Sequence, residues 1–259
     1  MYGVPTLEPR LTGPVRLFRF VLLLMACATA GAAVAQEDGM EVPRVPFFGG
    51  LCVHCDLTTR KMAGARFMGG DFQQASLVGS DLRGSSFLAA NFSGADFTHA
   101  DLRGATMTGA IFQGAIFQGA NLTGLNATAS VFDGANFQGA RISGANLQGV
   151  RLQHVKAMGA HFEHTNFLGT LLADGDFTGA SFRDADLTGV FMQGGKFDHA
   201  DFKGAALHGA RIYGADLSGA LNLTREQVFE ACGDHGARMP GGLTLRSCTR
   251  AYVVVRPAP

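Results

Sequence analysis

From Leu57 to Leu217 a large apolar residue stands at every fifth position, through Met62, Phe67, Phe72, Leu77 and Leu82 to Ile212. Of these 33 positions only Ala127 and Ala157 are small. An α-helix turns about 100° per residue, so a step of five would wind the large side chains around all its sides. A strand alternates with period two, so the same step would flip faces each time. Neither element buries this pattern. A chain that turns a corner every five residues does, because each side then offers its middle residue to a shared axis. The pattern predicts a solenoid, which gains a core only by stacking its repeats.

The positions around each centre agree. Two residues before it the side chain is small: Ala fills 19 of 33 such slots, including every one from Ala90 to Ala120, as a second inward site beside a Phe requires. At the two small centres the volume returns next door, as Leu125 before Ala127 and Val155 before Ala157. Two residues after the centre Gly fills 23 of 33 slots, which points to a corner with positive φ. His99, His154, His164, His199, Asp174 and Asp184 occupy six of the other ten, and these types tolerate that conformation better than most. The residue just before the centre is commonly Asp or Asn, as at Asp96, Asp101, Asn136 and Asn146.

This grammar, Ala-(Asp/Asn)-(Leu/Phe)-X-Gly, closely resembles that of the pentapeptide repeat family over about two-thirds of the chain. The resemblance implies an all-β solenoid, a right-handed quadrilateral β-helix with four pentapeptides per coil. About eight coils at the strand spacing of ~4.8 Å would make a rod of roughly 40 Å. Phe72, Phe92, Phe112 and Phe132 would then stack as one ladder, Phe97, Phe117 and Phe137 as a second, and Phe162, Phe182 and Phe202 as a third. Asn126, Asn146 and Asn166 would form an outward amide ladder.

The flanks read differently. Arg16 and Arg19 precede an apolar run from Phe20 to Ala33, and Ala33, Val34 and Ala35 supply small residues before Gln36. Residues 1–35 therefore read as a secretory signal, too short for a comfortable membrane span, with lipoprotein processing at Cys27 as the weaker alternative. The mature chain is expected to be exported, periplasmic or secreted, without a stable membrane span. Residues 36–51, with Pro43, Pro46, Gly49 and Gly50, read as a flexible tether, 52–221 as the β-helix and 222–259 as a cap.

Counting back by fives places Cys52 on a centre and Cys55 on a small slot, so both should face inward at the start of the rod. Cys52-Val-His-Cys55 is similar to the redox motif of thioredoxin-like oxidases, but no β-α-β pattern surrounds it, so a structural disulfide or two buried thiols is expected. Beyond Leu217 the register fails at Asn222. Thr224 to Gln227 forms a capping box, predicting a short helix to about Cys232 that Gly233 stops. Met239 to Gly242 predicts a turn, and Leu243 to Arg246 and Tyr252 to Val255 short strands. The stretches Leu223 to Asp234 and Pro240 to Cys248 are similar to the C-terminal cap of exported family members, which implies Cys232–Cys248 as its staple. The four mature cysteines by themselves allow three pairings, and export favours disulfides.

Charge narrows the function. Without residues 1–35 the chain carries 18 basic and 20 acidic groups, too weak a field to attract nucleic acid or a membrane. Some relatives in the family imitate duplex DNA and bind gyrase. That reading needs a strongly acidic rod, whereas residues 57–217 hold 13 acidic and 12 basic side chains. His161, Glu163, His164 and Asp184 suggest a surface metal site as a further alternative, although the His and Asp also suit corners. Neither a catalytic set nor a cofactor-binding loop is legible. One outward column is unusual: Ile111, Val131, Leu171 and Phe191, with Tyr213 beside its end, place large apolar side chains where polar ones are the rule. The expected function is an exported, non-catalytic scaffold that binds a protein partner, or a second copy of itself, through this face.

Overall fold

A computed structural model describes residues 47–248. The pairings are parallel and join residues twenty apart: Lys61 to Asp81, Asp81 to Asp101, Asp101 to Asn121, and onward to Asp201 and Leu221. A coil is therefore four pentapeptides, and each of its four sides stacks on the same side of the coil before. The large centres and their small neighbours line the interior, with Phe67, Phe92, Phe117 and Phe182 fully buried. The paired volumes hold as expected, since Leu125 and Ala127, like Val155 and Ala157, all face inward.

The repeat leaves few backbone donors unpaired. In Asp81 to Ser85, the Asp81 N–H donates back to Arg60 O (2.9 Å), and those of Leu82 and Gly84 donate forward to Asp101 O (2.8 Å) and Arg103 O (2.9 Å). The Ser85 N–H closes the corner on Leu82 O (3.0 Å). The fifth donor, Arg83 N–H, goes to Asp81 Oδ1 at 3.3 Å. Each Asp or Asn just before a centre accepts in this way, from Asp56 through Asn121 to Asp216. The Asp/Asn preference is thus an Asx turn that satisfies the one N–H the coil stack cannot reach. This corrects the amide ladder: Asn126, Asn146 and Asn166 bond to the N–H of Thr128, Gln148 and Leu168, and among the described residues no hydrogen bond runs from one of these amides to the next.

The aromatic ladders form as expected. Phe72, Phe92, Phe112 and Phe132 stack with centroids 4.7, 5.5 and 5.0 Å apart, and Phe97, Phe117 and Phe137 at 4.9 and 5.0 Å. Phe162, Phe182 and Phe202 follow at 5.3 Å. Neighbouring ladders meet edge to face, as Phe112 and Phe117 do at 62°. Such pairs contribute about 0.5–1.5 kcal/mol beyond burial. Buried hydroxyls in small slots find carbonyls one coil back: Ser85 Oγ donates to Met62 O (2.9 Å) and Thr165 Oγ1 to Ile142 O (2.8 Å).

Coiling begins before the expected boundary. Strand β1 (Phe47–Phe48) pairs in parallel with β2 (Arg66–Phe67), and the Phe48 ring stacks on Phe67 at 5.0 Å, so the end of the supposed tether is already wound. At the other end β3 (Arg211–Ile212), β4 (Cys232–Gly233) and β5 (Arg246–Ser247) make a parallel three-stranded sheet. Helix α1 (Arg225–Glu230) is inserted between β3 and β4, with the expected capping box of Thr224 and Gln227. It stops two residues earlier than expected, because Ala231 turns extended to deliver Cys232 into pairing with Arg211. Gly233 has a different job from the one expected. A Cβ there would lie 2.6 Å from Ile212 O, so the glycine permits close strand approach. The turn at Pro240 to Gly242 forms, but the strand after it starts at Arg246, later than Leu243.

Replacing Phe117 by Ala should cost about 3–5 kcal/mol. Ala129 sits at an exposed corner with φ of 58°, and its change to Gly should stabilise by about 1 kcal/mol. Denaturant titrations followed by circular dichroism read both, and a neutral Ala129→Gly would show that the corner is unstrained.

Candidate functional site

The unusual column stands on the side centred on Phe72, Phe92, Phe112 and Phe132. Successive bridges link Asn91 to Ile111, Ile111 to Val131, Val131 to Arg151, Arg151 to Leu171, Leu171 to Phe191 and Phe191 to Arg211. The sequence-expected residues therefore share one outward column, each a single coil from its neighbour. Ile111 is 42% exposed, and Val131, Leu171, Phe191 and Tyr213 are half-buried. Two arginines interrupt the stripe. Arg151 pairs with Asp133 on the preceding coil, and the Arg211 guanidinium lies 4.8 Å from the Phe191 ring centre. The face is thus two apolar pairs, Ile111 with Val131 and Leu171 with Phe191, each followed by a cation.

The Met62 side is polar. Arg83 and Arg103 bind the carboxylates of Asp81 and Asp101 in paired contacts, and these hydrogen bonds hold both acids below their usual range. Further along, Glu163 accepts from Ser143 Oγ on the preceding coil at 2.6 Å and meets His161 Nδ1 at 3.2 Å. Burial pushes this carboxyl up, but the Ser143 and Ser181 hydroxyls, its own backbone and His161 outweigh it and bring the pKa from 4.5 to about 2. The Ser181 hydroxyl beside it is buried without a hydrogen bond of ordinary geometry. His164 and Asp184 lie at corners with φ of 56° and 55°. Among the described residues no three His, Cys, Asp or Glu side chains converge to hold a metal ion, so these four do not assemble the site their types suggested.

Cys52 and Cys55 are bonded to each other across a Cα separation of 5.3 Å, with Cys55 buried and Cys52 packed partly against the core. Cys232 and Cys248 are joined across 4.9 Å, tying β4 to the end of β5. Residues 1–35, Cys27 and Tyr252 to Val255 lie outside the described residues. No helix within the described residues is long and apolar enough to cross a membrane.

The profile described as "Pentapeptide repeats (8 copies)" matches residues 52–87, 90–126, 115–153 and 158–194, and that described as "Pentapeptide repeats (9 copies)" matches 177–221. The chain belongs to the pentapeptide repeat family. A solved pentapeptide repeat structure shares its fold, and two others are similar in sequence. HetL, involved in heterocyst differentiation regulation in the cyanobacterium Nostoc sp. strain PCC 7120, is 24% identical with a TM-score of 0.57, over 74% of this chain and 86% of that one. A pentapeptide repeat protein of the Arabidopsis thaliana thylakoid lumen is 33% identical with a TM-score of 0.31, over 36% and 69%. Full-length QnrB1, a plasmid-mediated fluoroquinolone resistance protein, is 19% identical with a TM-score of 0.42, over 74% and 94%. No curated protein matches the chain significantly.

Two features of this pentapeptide repeat chain escape sequence reasoning. One is the Ser143–Glu163 bond, which joins residues twenty apart and carries no local signal. The other is Gln227. Its Oε1 accepts from the Thr224 N–H, and its Nε2 donates to Phe202 O (2.8 Å) and Ala205 O (2.7 Å) at the end of the coil stack. The capping box was legible; its grip on the rod was not.

Glu163 makes acid stability testable. Its folded pKa lies below its unfolded value, so its contribution is complete above about pH 5 and is lost as pH falls towards 2. Denaturant midpoints across that window should drop more steeply for the wild type than for Glu163→Gln. Parallel curves would remove Glu163 from the account.

Proposed function

We propose that this chain is an exported, non-catalytic scaffold of about eight coils, closed by a disulfide-stapled C-terminal cap, that binds a protein partner or a second copy of itself through the Ile111, Val131, Leu171, Phe191 and Tyr213 face. The observation that carries this reading is the alignment of apolar side chains at outward slots. Elsewhere an Asp or Asn in such a slot accepts the N–H two residues on, whereas Ile111, Val131, Leu171 and Phe191 provide no acceptor for Gln113, Asp133, Ala173 and Gln193. These positions give up a local hydrogen bond, worth about 0.5–1.5 kcal/mol, for apolar surface. Hydrogen-bonded coils hold that surface in register, which lowers the ordering cost on binding. Family membership supports a scaffold over an enzyme, since a stack of pentapeptide coils supplies an extended surface. The signal-like residues 1–35 and the two disulfides support export. The near balance of charge along the coils favours a protein surface over imitation of DNA.

Lysines at Val131 and Leu171 should abolish assembly, read by sedimentation of the purified chain alone and with its co-purifying partner, while the melting curve stays cooperative. Asp at position 131 should abolish it too, yet raise stability by about 0.5–1.5 kcal/mol by restoring the acceptor. An assembly of unchanged size in both variants rejects this face.

A further inference from the structure

The corner at the start of the stack carries a bond that the coil does not require. Cys52 stands at a centre and Cys55 at the small slot after it, the places taken by Phe72 and Ala75 one coil on. The Cys55 N–H donates to Cys52 O at 3.3 Å, as the Ala75 N–H does to Phe72 O at 3.1 Å and the Ser85 N–H to Leu82 O at 3.0 Å. The next coil holds this corner too. The Cys52 and His54 N–H groups donate to Asp71 O (2.7 Å) and Gln73 O (2.9 Å), and Cys55 O accepts from the Ser76 N–H (2.8 Å). Phe72 and Ala75 keep the same turn with no covalent link, so closing it does not explain the disulfide. The bond joins residues three apart, against sixteen for Cys232–Cys248, and a short loop constrains the unfolded chain least.

The two sulfurs are not equally placed. Cys55 is buried, at 8% exposed, whereas Cys52 is half-buried between Leu51 (87% exposed) and Val53 (39% exposed), with His54 exposed at the corner. A reachable sulfur backed by a sheltered one suits thiol–disulfide exchange, in which a thiolate attacks the outer sulfur and the inner one leaves. The reduced state also fits the coil. A thiol behaves as a small apolar group, and small slots elsewhere bury side chains of that size, as at Ser85 and Ser130.

We propose that Cys52–Cys55 is a transferable disulfide that oxidises a pair of cysteine thiols on an extended polypeptide segment. A thiolate of the segment attacks Cys52 Sγ. The bond between Cys52 and Cys55 breaks, and Cys55 leaves as a thiolate that takes up the proton lost by the attacking thiol. The segment's second thiolate then attacks its own sulfur in the mixed disulfide and releases Cys52, which takes up the second proton. The segment has lost two electrons and two protons and holds the disulfide; the corner holds two thiols. Leu51 and Val53 place apolar surface on both sides of Cys52, which favours a segment with apolar residues beside its cysteines. Each chain delivers one disulfide, so the step is stoichiometric and leaves the scaffold reading intact. The site is also separate from the proposed binding face, since Asp71 and Asn91 stand between Leu51 and Ile111 in the outward column.

In the full chain carrying Cys27→Ser, the four remaining cysteines are the two bonded pairs. Titration with reduced and oxidised glutathione, followed by alkylation and mass spectrometry, reads each pair by itself. Cys52–Cys55 should open at a glutathione ratio about ten-fold less reducing than Cys232–Cys248, with an unchanged circular dichroism spectrum. A reduced peptide with two cysteines flanked by leucines should become oxidised, one molecule per chain, as Cys52–Cys55 opens. Cys55→Ser should capture the oxidised form of that peptide as a mixed disulfide about ten-fold faster than Cys52→Ser, which leaves only the sheltered thiol. Leu51→Asp with Val53→Asp should slow peptide oxidation while exchange with β-mercaptoethanol stays the same. Two pairs that open together, a fold lost when Cys52–Cys55 opens, or equal capture by the two Ser variants would overturn the proposal. Peptide oxidation untouched by the two Asp changes would overturn the polypeptide substrate in favour of small thiols.

Discussion

Everything in this molecule depends on one geometric demand, that residues twenty apart lie directly above one another. The backbone enforces it through donors at the slot before each centre, at the centre and at the corner, which bond to the coils on either side. The remaining two donors are settled within the repeat, one by the carbonyl of the centre three residues back and one by the Asx oxygen where an Asp or Asn is present. Because the polar accounting is local and periodic, the interior is free to be filled by size alone. A Phe ladder, a Leu in a small slot beside an Ala centre, and a Gly where a Phe edge passes 2.5 Å from its would-be Cβ, as at Gly175 and Phe177, are equivalent solutions to one volume constraint.

That separation explains how much could be read in advance. The period of five, the small slots and the corners are visible in any window of the sequence, because each repeat states the same requirements again. Phe92 above Phe72 follows once coils of four are accepted. What stayed hidden depends on contacts without a period. Ala231 turning extended to place Cys232 beside Arg211, and Gly233 serving close approach instead of ending a helix, arise where the register fails and tertiary pairing overrides local propensity. The role of Asn126, Asn146 and Asn166 was misassigned for a related reason. A ladder of amides and an Asx turn need the same residues at the same spacing, and only the bond from Oδ1 to the N–H two residues on distinguishes them.

The candidate face was legible as a column but not in its detail. Ile111, Val131, Leu171 and Phe191 could be aligned on paper, yet the pairing of Arg151 with Asp133 and the seat of Arg211 over Phe191 needed coordinates. These cations separate the column into two apolar pairs. The metal reading failed because shared chemistry is not shared location: His164 and Asp184 serve corners, while Glu163 spends its oxygens on Ser143 and His161.

The two ends of the stack are not alike. At the C-terminal end Gln227 plugs the carbonyls of Phe202 and Ala205, and a disulfide clamps the strands beyond. At the N-terminal end Leu51 is 87% exposed and the bond between Cys52 and Cys55 spans a single corner. A solenoid held by nearest neighbours comes apart from its weaker terminus. Among the described residues the added anchors therefore lie at the C-terminal end, which gives the stack a direction: it resists unzipping more at the end where the cap is clamped than at the end where the first coil is wound.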